Sequence, residues 1–242
     1  MTIENFNKYQ YNLSIRFTSD GFSLFVTDVK NSLLSSKKTL FDITNQSKEE
    51  LIEKLLQEQV LDINYQSVRI IVESDYYSCI PESMFDEKHI FDLLQLQHHQ
   101  IAATDCIIHN SLLAWNAVLA FTIPNQLYEV ISEILPEINI EHHLYAFIND
   151  KVALNTGQNF NVWVRRQKMD IVAMERGNLI LVNSYDYKTK EDFAYHLLNA
   201  TKQLSFNQEE CNLNIYNTDQ QPELAELTAK YFRKNYKEDI LI

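Results

Sequence analysis

Leu13-Ser-Ile-Arg-Phe-Thr-Ser-Asp-Gly-Phe-Ser-Leu-Phe-Val26 is the stretch on which the fold turns. Apolar residues alternate with polar ones from Leu13 to Phe17, the period of a half-buried strand, and a second strand runs from Phe22 to Val26. Ser19-Asp20-Gly21 between the two reads as a hairpin turn. A third strand is expected over residues 38–43. Ser47-Lys-Glu-Glu50 then forms a capping box, in which a hydroxyl and a carboxylate satisfy free backbone N–H groups at a helix start. Leu51, Ile52, Leu55, Leu56 and Val60 follow on one face, so this helix packs on the sheet. A strand over residues 68–72 completes a βββαβ unit.

The same order returns late in the chain. Residues 160–165 and 169–174 read as a hairpin across Gln167-Lys168, and residues 178–183 return after Arg176-Gly177. Thr189, with Asp192 three residues on, caps a helix whose apolar face holds Phe193, Ala194, Leu197, Leu198 and Leu204. A strand over residues 212–216 and a helix from Pro222 to about Asn235 finish the pattern. The two first turns, the two caps and the two strands after them are each separated by about 145 residues, which points to an internal duplication. Between the halves are Tyr76-Tyr-Ser-Cys-Ile80, a helix over 86–97 and a strand over 101–109. A buried strand Ala117–Ile123, a helix over 124–135, a short strand over 138–141 and a helix over 144–154 follow. The expected class is α/β (α+β), with two lobes, each a βββαβ-type mixed sheet flanked by helices. The first lobe spans 1–156 with an inserted subdomain at about 75–115, and the second spans 157–242.

Composition narrows the chemistry. Average glycine usage would place roughly 17 glycines in a chain of this length, and it has 3, Gly21, Gly157 and Gly177, with 4 prolines. Phosphate-cradling loops of the Walker or dinucleotide type need several glycines together, and none are close. A formal net charge of −12 and short, interrupted basic stretches argue against a nucleic-acid partner. Three widely spaced cysteines, Cys79, Cys106 and Cys211, read as buried free thiols. The N-terminus lacks the basic and apolar regions of a signal peptide, and no run approaches 18 apolar residues. The expected setting is cytoplasmic, without membrane insertion. Tyr231, Phe232 and Tyr236 ahead of Lys237-Glu-Asp-Ile-Leu-Ile242 read as a docked terminal helix rather than a membrane anchor.

The duplicated layout resembles the actin-like ATPase superfamily, of ribonuclease H-like fold, which includes sugar kinases and the bacterial FtsA and PilM proteins. The run from Ala117 to Leu135, continuing to Phe147, is similar to the end of the first lobe in the PilM and FtsA type. The chain also resembles an uncharacterised Bacteroidetes family of unknown function. That likeness is carried by Leu13-Ser-Ile-Arg-Phe17, Ile80-Pro81 with Met84-Phe85, and Asn183-Ser-Tyr with Glu191-Asp192-Phe193. In superfamily members that hydrolyse ATP, each hairpin carries an acid on its first strand and a glycine-rich turn. Here Arg16 stands where the first acid would be, Trp163 or its valine neighbours where the second would be, and Arg165-Arg166-Gln167-Lys168 where the glycines would be. The adenosine-binding Gly-Gly has no counterpart.

The resemblance therefore implies a degenerate, non-catalytic actin-like domain that uses no cofactor. Since PilM and FtsA relatives bind short partner peptides, it also implies a protein-binding or scaffolding module for an unidentified protein partner. The alternative is an active ATPase or small-molecule kinase using displaced acids such as Asp20, Asp28 or Asp186; a nuclease would need a strand-borne carboxylate cluster that the sequence does not reveal. Arg16, Arg165 and Arg166 are candidates for an anion site in the inter-lobe cleft, because a guanidinium binds phosphate or carboxylate bidentately. Against that stands pairing with Asp28, Asp170 or Glu175, or placement on a solvated face. His98-His99, His109 and His142-His143 lack the paired spacing and third ligand of a zinc site. Asp192 and His196 are one helical turn apart, and Asp192 is better explained as a cap. No G-x-S-x-G turn marks a serine hydrolase.

Overall fold

The computed structural model describes residues 10–43, 46–58, 64–136, 138–152, 157–216 and 221–238. The N-terminal stretch to Tyr9, Val60, Leu154 and the apolar tip from Ile240 to Ile242 lie outside them. Strands β1 (Tyr11–Thr18) and β2 (Gly21–Asp28) pair antiparallel, with Thr18 opposite Gly21. Leu13, Ile15 and Phe17 are buried in the core, while Asn12, Ser14 and Arg16 take the other face. Gly21 has φ +128°, and a Cβ added there would sit 2.0 Å from the Thr39 carbonyl oxygen, so only glycine fits.

The third strand, β3 (Leu33–Leu40), begins five residues earlier than the sequence suggests. Asp28 is the reason: its Oδ1 accepts from the Lys30 and Ser32 N–H groups, both at 2.8 Å, and turns the chain straight back onto β2. Because β3 is exposed along nearly its whole length, burial imposes no alternation on it. Helix α1 (Lys48–Leu56) starts with the expected capping box, Ser47 N–H to Glu50 Oε2 at 2.8 Å and Glu50 N–H to Ser47 Oγ at 3.2 Å. Its buried stripe is Leu51 and Leu55, and Leu56 is exposed. Strand β4 (Ser67–Val72) lies parallel to β1.

After β4 comes a separate small sheet. Strands β5 (Tyr77–Pro81) and β6 (Cys106–Leu112) both pair antiparallel with β7 (Ala117–Ile123), and helix α2 (Ile90–Gln97) lies between β5 and β6 in the chain. Every residue of the central β7 is buried. The expected strand over 101–109 is displaced to β6. Residues 102–105 instead form a turn, closed by Asp105 N–H to Ala102 O at 3.0 Å, and Ile101 is buried in a cluster with Ile80, Ile90, Leu94 and Ala120. Helix α3 (Asn125–Ile134) sits beside α1, with Lys48 Nζ 3.0 Å from Glu133. Strand β8 (Ile140–His142) then joins parallel to β4, completing the order β3-β2-β1-β4-β8.

The chain divides into two compact units within helix α4 (His143–Lys151), between Ala146 and Phe147. In the second unit, β9 (Gln158–Arg165), β10 (Lys168–Glu175) and β11 (Asn178–Asp186) form a meander. Helix α5 (Lys190–Gln203) and strand β12 (Asn212–Tyr216) follow, β12 lying parallel to β9. The Arg176-Gly177 turn has φ 51° and 80°, the left-handed pair that suits the right-handed twist of flanking strands. Helix α6 is shorter than expected, Pro222–Thr228, and the residues expected to extend it form β13 (Lys234–Glu238), parallel to β12. Two demands stop the helix. Phe232 is buried against Phe160, and β12 otherwise leaves a row of backbone groups unpaired. The order β11-β10-β9-β12-β13 repeats that of the first sheet.

Strands β9 and β10 each bury six consecutive residues. One face, with Phe160, Val162, Met169 and Ile171, packs on Phe193 and Leu197 of α5 and Leu224 of α6. The other face carries Asn159, Asn161, Trp163 and Asp170, and Phe147 of α4 covers Trp163 and Tyr216 at ring distances of 5.4 and 5.2 Å.

Candidate functional site

The two hairpins and the polar faces behind them hold the residues that the sequence singles out. In the first unit, Arg16 stands on the polar face of β1 and its guanidinium is ion-paired with Glu73, just past β4. Glu73 is placed by the sheet itself, its N–H bonding the Phe17 carbonyl at 2.9 Å. On the same face Arg69 of β4 grips Glu141 of β8 through Nε at 3.1 Å and Nη2 at 2.7 Å.

In the second unit, Arg165 ends β9 with a side chain 8% exposed and closes a two-pronged ion pair on the fully buried Asp170, Nε to Oδ2 at 2.6 Å and Nη2 to Oδ1 at 2.8 Å. Ser184 of β11 adds a hydroxyl to the same carboxylate. A desolvated carboxylate persists only when charge and hydrogen bonds replace water, and Arg165 and Ser184 supply both. Arg166 is the first residue of the turn, which lies one residue earlier than Gln167-Lys168, and it holds φ 42°. Its backbone carbonyl accepts from Tyr187 Oη at 2.6 Å and Gln221 Nε2 at 2.9 Å, while Tyr187 N–H bonds Gln167 O at 2.9 Å. Tyr187, just before α5, and Gln221, just before α6, thus hold a strained turn in place. Burial pushes the Tyr187 phenol above its usual range, and its bond to Gln221 opposes the shift.

Side-chain amides form a further pattern that a pairwise reading of the sequence misses. Asn212 donates to Asn159 at 2.8 Å and Asn214 to Asn161 at 3.0 Å, each pair sharing one register position of the parallel strands β12 and β9. The first sheet has a counterpart at the matching place, Ser67 Oγ to Asn12 Oδ1 at 2.7 Å. The signal available in the sequence was the Asn-x-Asn spacing, present at Asn159-Phe-Asn161 and again at Asn212-Leu-Asn214.

The remaining candidates have local duties. Asp20 accepts from Thr18 Oγ1 at 2.7 Å, and Asp186 sits 3.2 Å from Lys168 at an exposed sheet edge. Backbone N–H groups of Ser32 and Lys30 hold the Asp28 carboxyl below its ordinary value. Asp192 completes the capping box of α5 behind the N-cap Thr189, and the N–H groups of Lys188 and Thr189 lower its pKa. His196 stacks on Tyr185 with ring centroids 4.8 Å apart. His142 is buried, with Nε2 2.9 Å from the Ser74 carbonyl and Nδ1 accepting from Leu144 N–H, which defines a neutral tautomer. Among the described residues, no group of three or more His, Cys, Asp or Glu could hold a metal ion, and no helix is long and apolar enough to cross a membrane.

Two five-stranded mixed sheets of identical strand order, each entered through an antiparallel hairpin, place this protein in the class with an actin-like ATPase fold. A Bacteroides thetaiotaomicron protein of that fold and of unknown function superposes with a TM-score of 0.81 and 28% identity, over 95% of this chain and 91% of that one. The chain belongs to the DUF3822 family, a family of unknown function whose profile matches residues 1–234. A chain of the PilM–PilN type IV pilus biogenesis complex matches with a TM-score of 0.53 and 10% identity, over 97% of this chain and 89% of that one. The ethanolamine utilization protein EutJ from Carboxydothermus hydrogenoformans matches with a TM-score of 0.53 and 9% identity, over 98% and 87%. No curated protein matches the chain in sequence.

Proposed function

We propose that this chain is a non-catalytic actin-like domain, descended from an internal duplication, that works as a protein-binding or scaffolding module in the cytoplasm. The observation that carries the reading is the occupation of both hairpins by the protein's own side chains. On β1 the polar face offers Asn12, Ser14, Arg16 and Thr18, and on β9 it offers Asn159, Asn161, Trp163 and Arg165, with no carboxylate on either strand. Phosphoryl transfer depends on metal-bound oxygens and on donors aimed at the phosphate, and Mg²⁺ asks for carboxylate or phosphate oxygens. Arg165 and Arg16 already hold carboxylates, so an anion bound by Arg16, Arg165 and Arg166 would have to compete with Glu73 and Asp170. The matched strand order and the equivalent Asn12–Ser67 and Asn159–Asn212 bonds support the duplication. Three free cysteines are compatible with a reducing compartment. The PilM–PilN complex supplies an analogy at the level of fold, a protein of this architecture joined to a protein partner.

Isothermal calorimetry with ATP or ADP and Mg²⁺ tests the reading, and no heat of binding is expected up to about 1 mM nucleotide. Micromolar binding, or phosphate release that disappears on Asp20→Asn, Asp28→Asn or Asp186→Asn substitution, would establish the ATPase or kinase alternative instead.

A further inference from the structure

The small sheet of β5, β7 and β6 ends in two adjoining turns. One, Glu82–Met84, leaves β5; the other, Leu113–Trp115, joins β6 to β7. Pro81 and Leu112 both pair with Ala117, so the turns emerge at the same end of the sheet, and Glu82 N–H bonds the Asn116 carbonyl at 2.8 Å to tie them together. Met84 is 72% exposed and Leu113 77%, Ala114 is exposed as well, and Phe85 and Trp115 are partly covered. The core of this subdomain is built from Ile80, Ile90, Leu94, Ile101 and Ala120, and neither Met84 nor Leu113 belongs to it. Phe85 packs against that core, whereas Met84 and Leu113, exposed side by side on paired turns, add nothing to it and mark an interaction surface.

The charge around this tip has one predominant sign. Glu82, Asp86 and Glu87 are exposed in the first turn and the loop after it, against Lys88 alone among the basic residues of 82–88. Asp86 stays ionised because the Lys88 N–H and His89 Nδ1 hold its carboxyl below the ordinary value. The whole chain carries −12, which repels anionic lipid and nucleic acid and opposes the meeting of two such tips.

We propose that this tip is the docking surface for a basic, apolar segment of a partner protein, whose large side chains cover Met84, Leu113 and Trp115 while its Lys or Arg residues meet Glu82, Asp86 and Glu87. The proposal rests on the binding-module reading and gives that module a surface and a partner chemistry.

Short random peptides displayed on phage, selected against the full chain and then synthesised, provide the probe, with affinity read by fluorescence anisotropy. Selected peptides should combine an aromatic or aliphatic residue with Lys or Arg. Met84→Ser/Leu113→Ser should weaken them by about tenfold or more, and Glu82→Gln/Glu87→Gln by about threefold with a flatter salt dependence. Circular dichroism checks that both variants fold. A selection that yields only peptides binding the Met84→Ser/Leu113→Ser chain unchanged, or peptides without basic residues, overturns the proposal. So does tip-dependent retention on phosphatidylglycerol vesicles, or tip-dependent dimerisation in sedimentation equilibrium, which would assign the surface to a membrane or to a second copy. The nucleotide titration fails or succeeds separately: micromolar ATP binding removes the non-catalytic reading and leaves the peptide result standing.

Discussion

Asp170 has no exposed surface, and its partners Arg165 and Ser184 come from the strands on either side of its own in one meander. Removing one member of a buried ion pair strands the other charge, so Asp170→Ala is expected to cost about 3–5 kcal/mol in urea unfolding. Arg165→Leu/Asp170→Ala should recover most of that loss, and equal instability of the single and double variants would show that packing, not charge, is at stake. Glycine positions separate as sharply. Gly21→Ala drives a Cβ into the Thr39 carbonyl and should cost about 3 kcal/mol or more. Gly177→Asn should cost less than about 1 kcal/mol, because Asn visits the left-handed region and nothing lies within 4 Å of the new Cβ. Thermal unfolding of the two variants makes the comparison. Arg16, Arg165 and Arg166 could be singled out in the sequence by residue type, and Asp170, the partner of Arg165, was among the carboxylates open to pairing; Glu73, the partner of Arg16, was not. Glu73 lies 57 residues from Arg16, and only the parallel pairing of β1 with β4 brings the two together.

At the scale of the element, both helix starts were legible because a capping box is local, its four residues neighbours in sequence and in space. Ser47→Ala and Thr189→Ala should each cost about 1 kcal/mol in chemical denaturation. Asp192 adds a pH dependence of defined sign. Its folded pKa lies below the ordinary 3.8, so its stabilisation is present above that value and is lost as pH falls through the lowered one. Asp192→Asn should therefore be less stable than the parent at pH 7, and the difference in urea midpoint should shrink as pH drops below 3.8; a constant difference would remove the carboxylate's charge from the account. The strands misplaced by periodicity, β3 and β6, and the strand read as helix, β13, are all edge strands. With open faces along β3 and a single neighbouring strand at β13, burial imposes no period-two pattern that sequence alone could reveal.

Across the whole molecule, several groups are held in their neutral form by burial, so that ionising them costs stability. Burial pushes the Cys79 thiol from 9.0 to about 11, the Cys211 thiol to about 12 and the Tyr65 phenol from 10.0 to about 12. Raised values of this kind stabilise fully below the unfolded pKa and cease to do so as pH climbs through the folded one, so the denaturation midpoint should decline from about pH 9 upward. Cys211→Ala should flatten part of that decline, and a midpoint unchanged to about pH 11 would contradict the burial of these groups. The sequence by itself determined the order of the two βββαβ units, their caps, and the lack of an acid on the first strand or of a glycine-rich turn in either hairpin, because each is written in residue type and short-range spacing. Tertiary structure alone decided which carboxylates neutralise Arg16 and Arg165, that Asn159 and Asn161 meet Asn212 and Asn214, and that the chain after α6 returns as a strand. Those outcomes depend on which strands become neighbours and in what register; the asparagine pairs span 53 residues of chain and Arg16–Glu73 spans 57, and parallel pairing over such separations leaves no local trace.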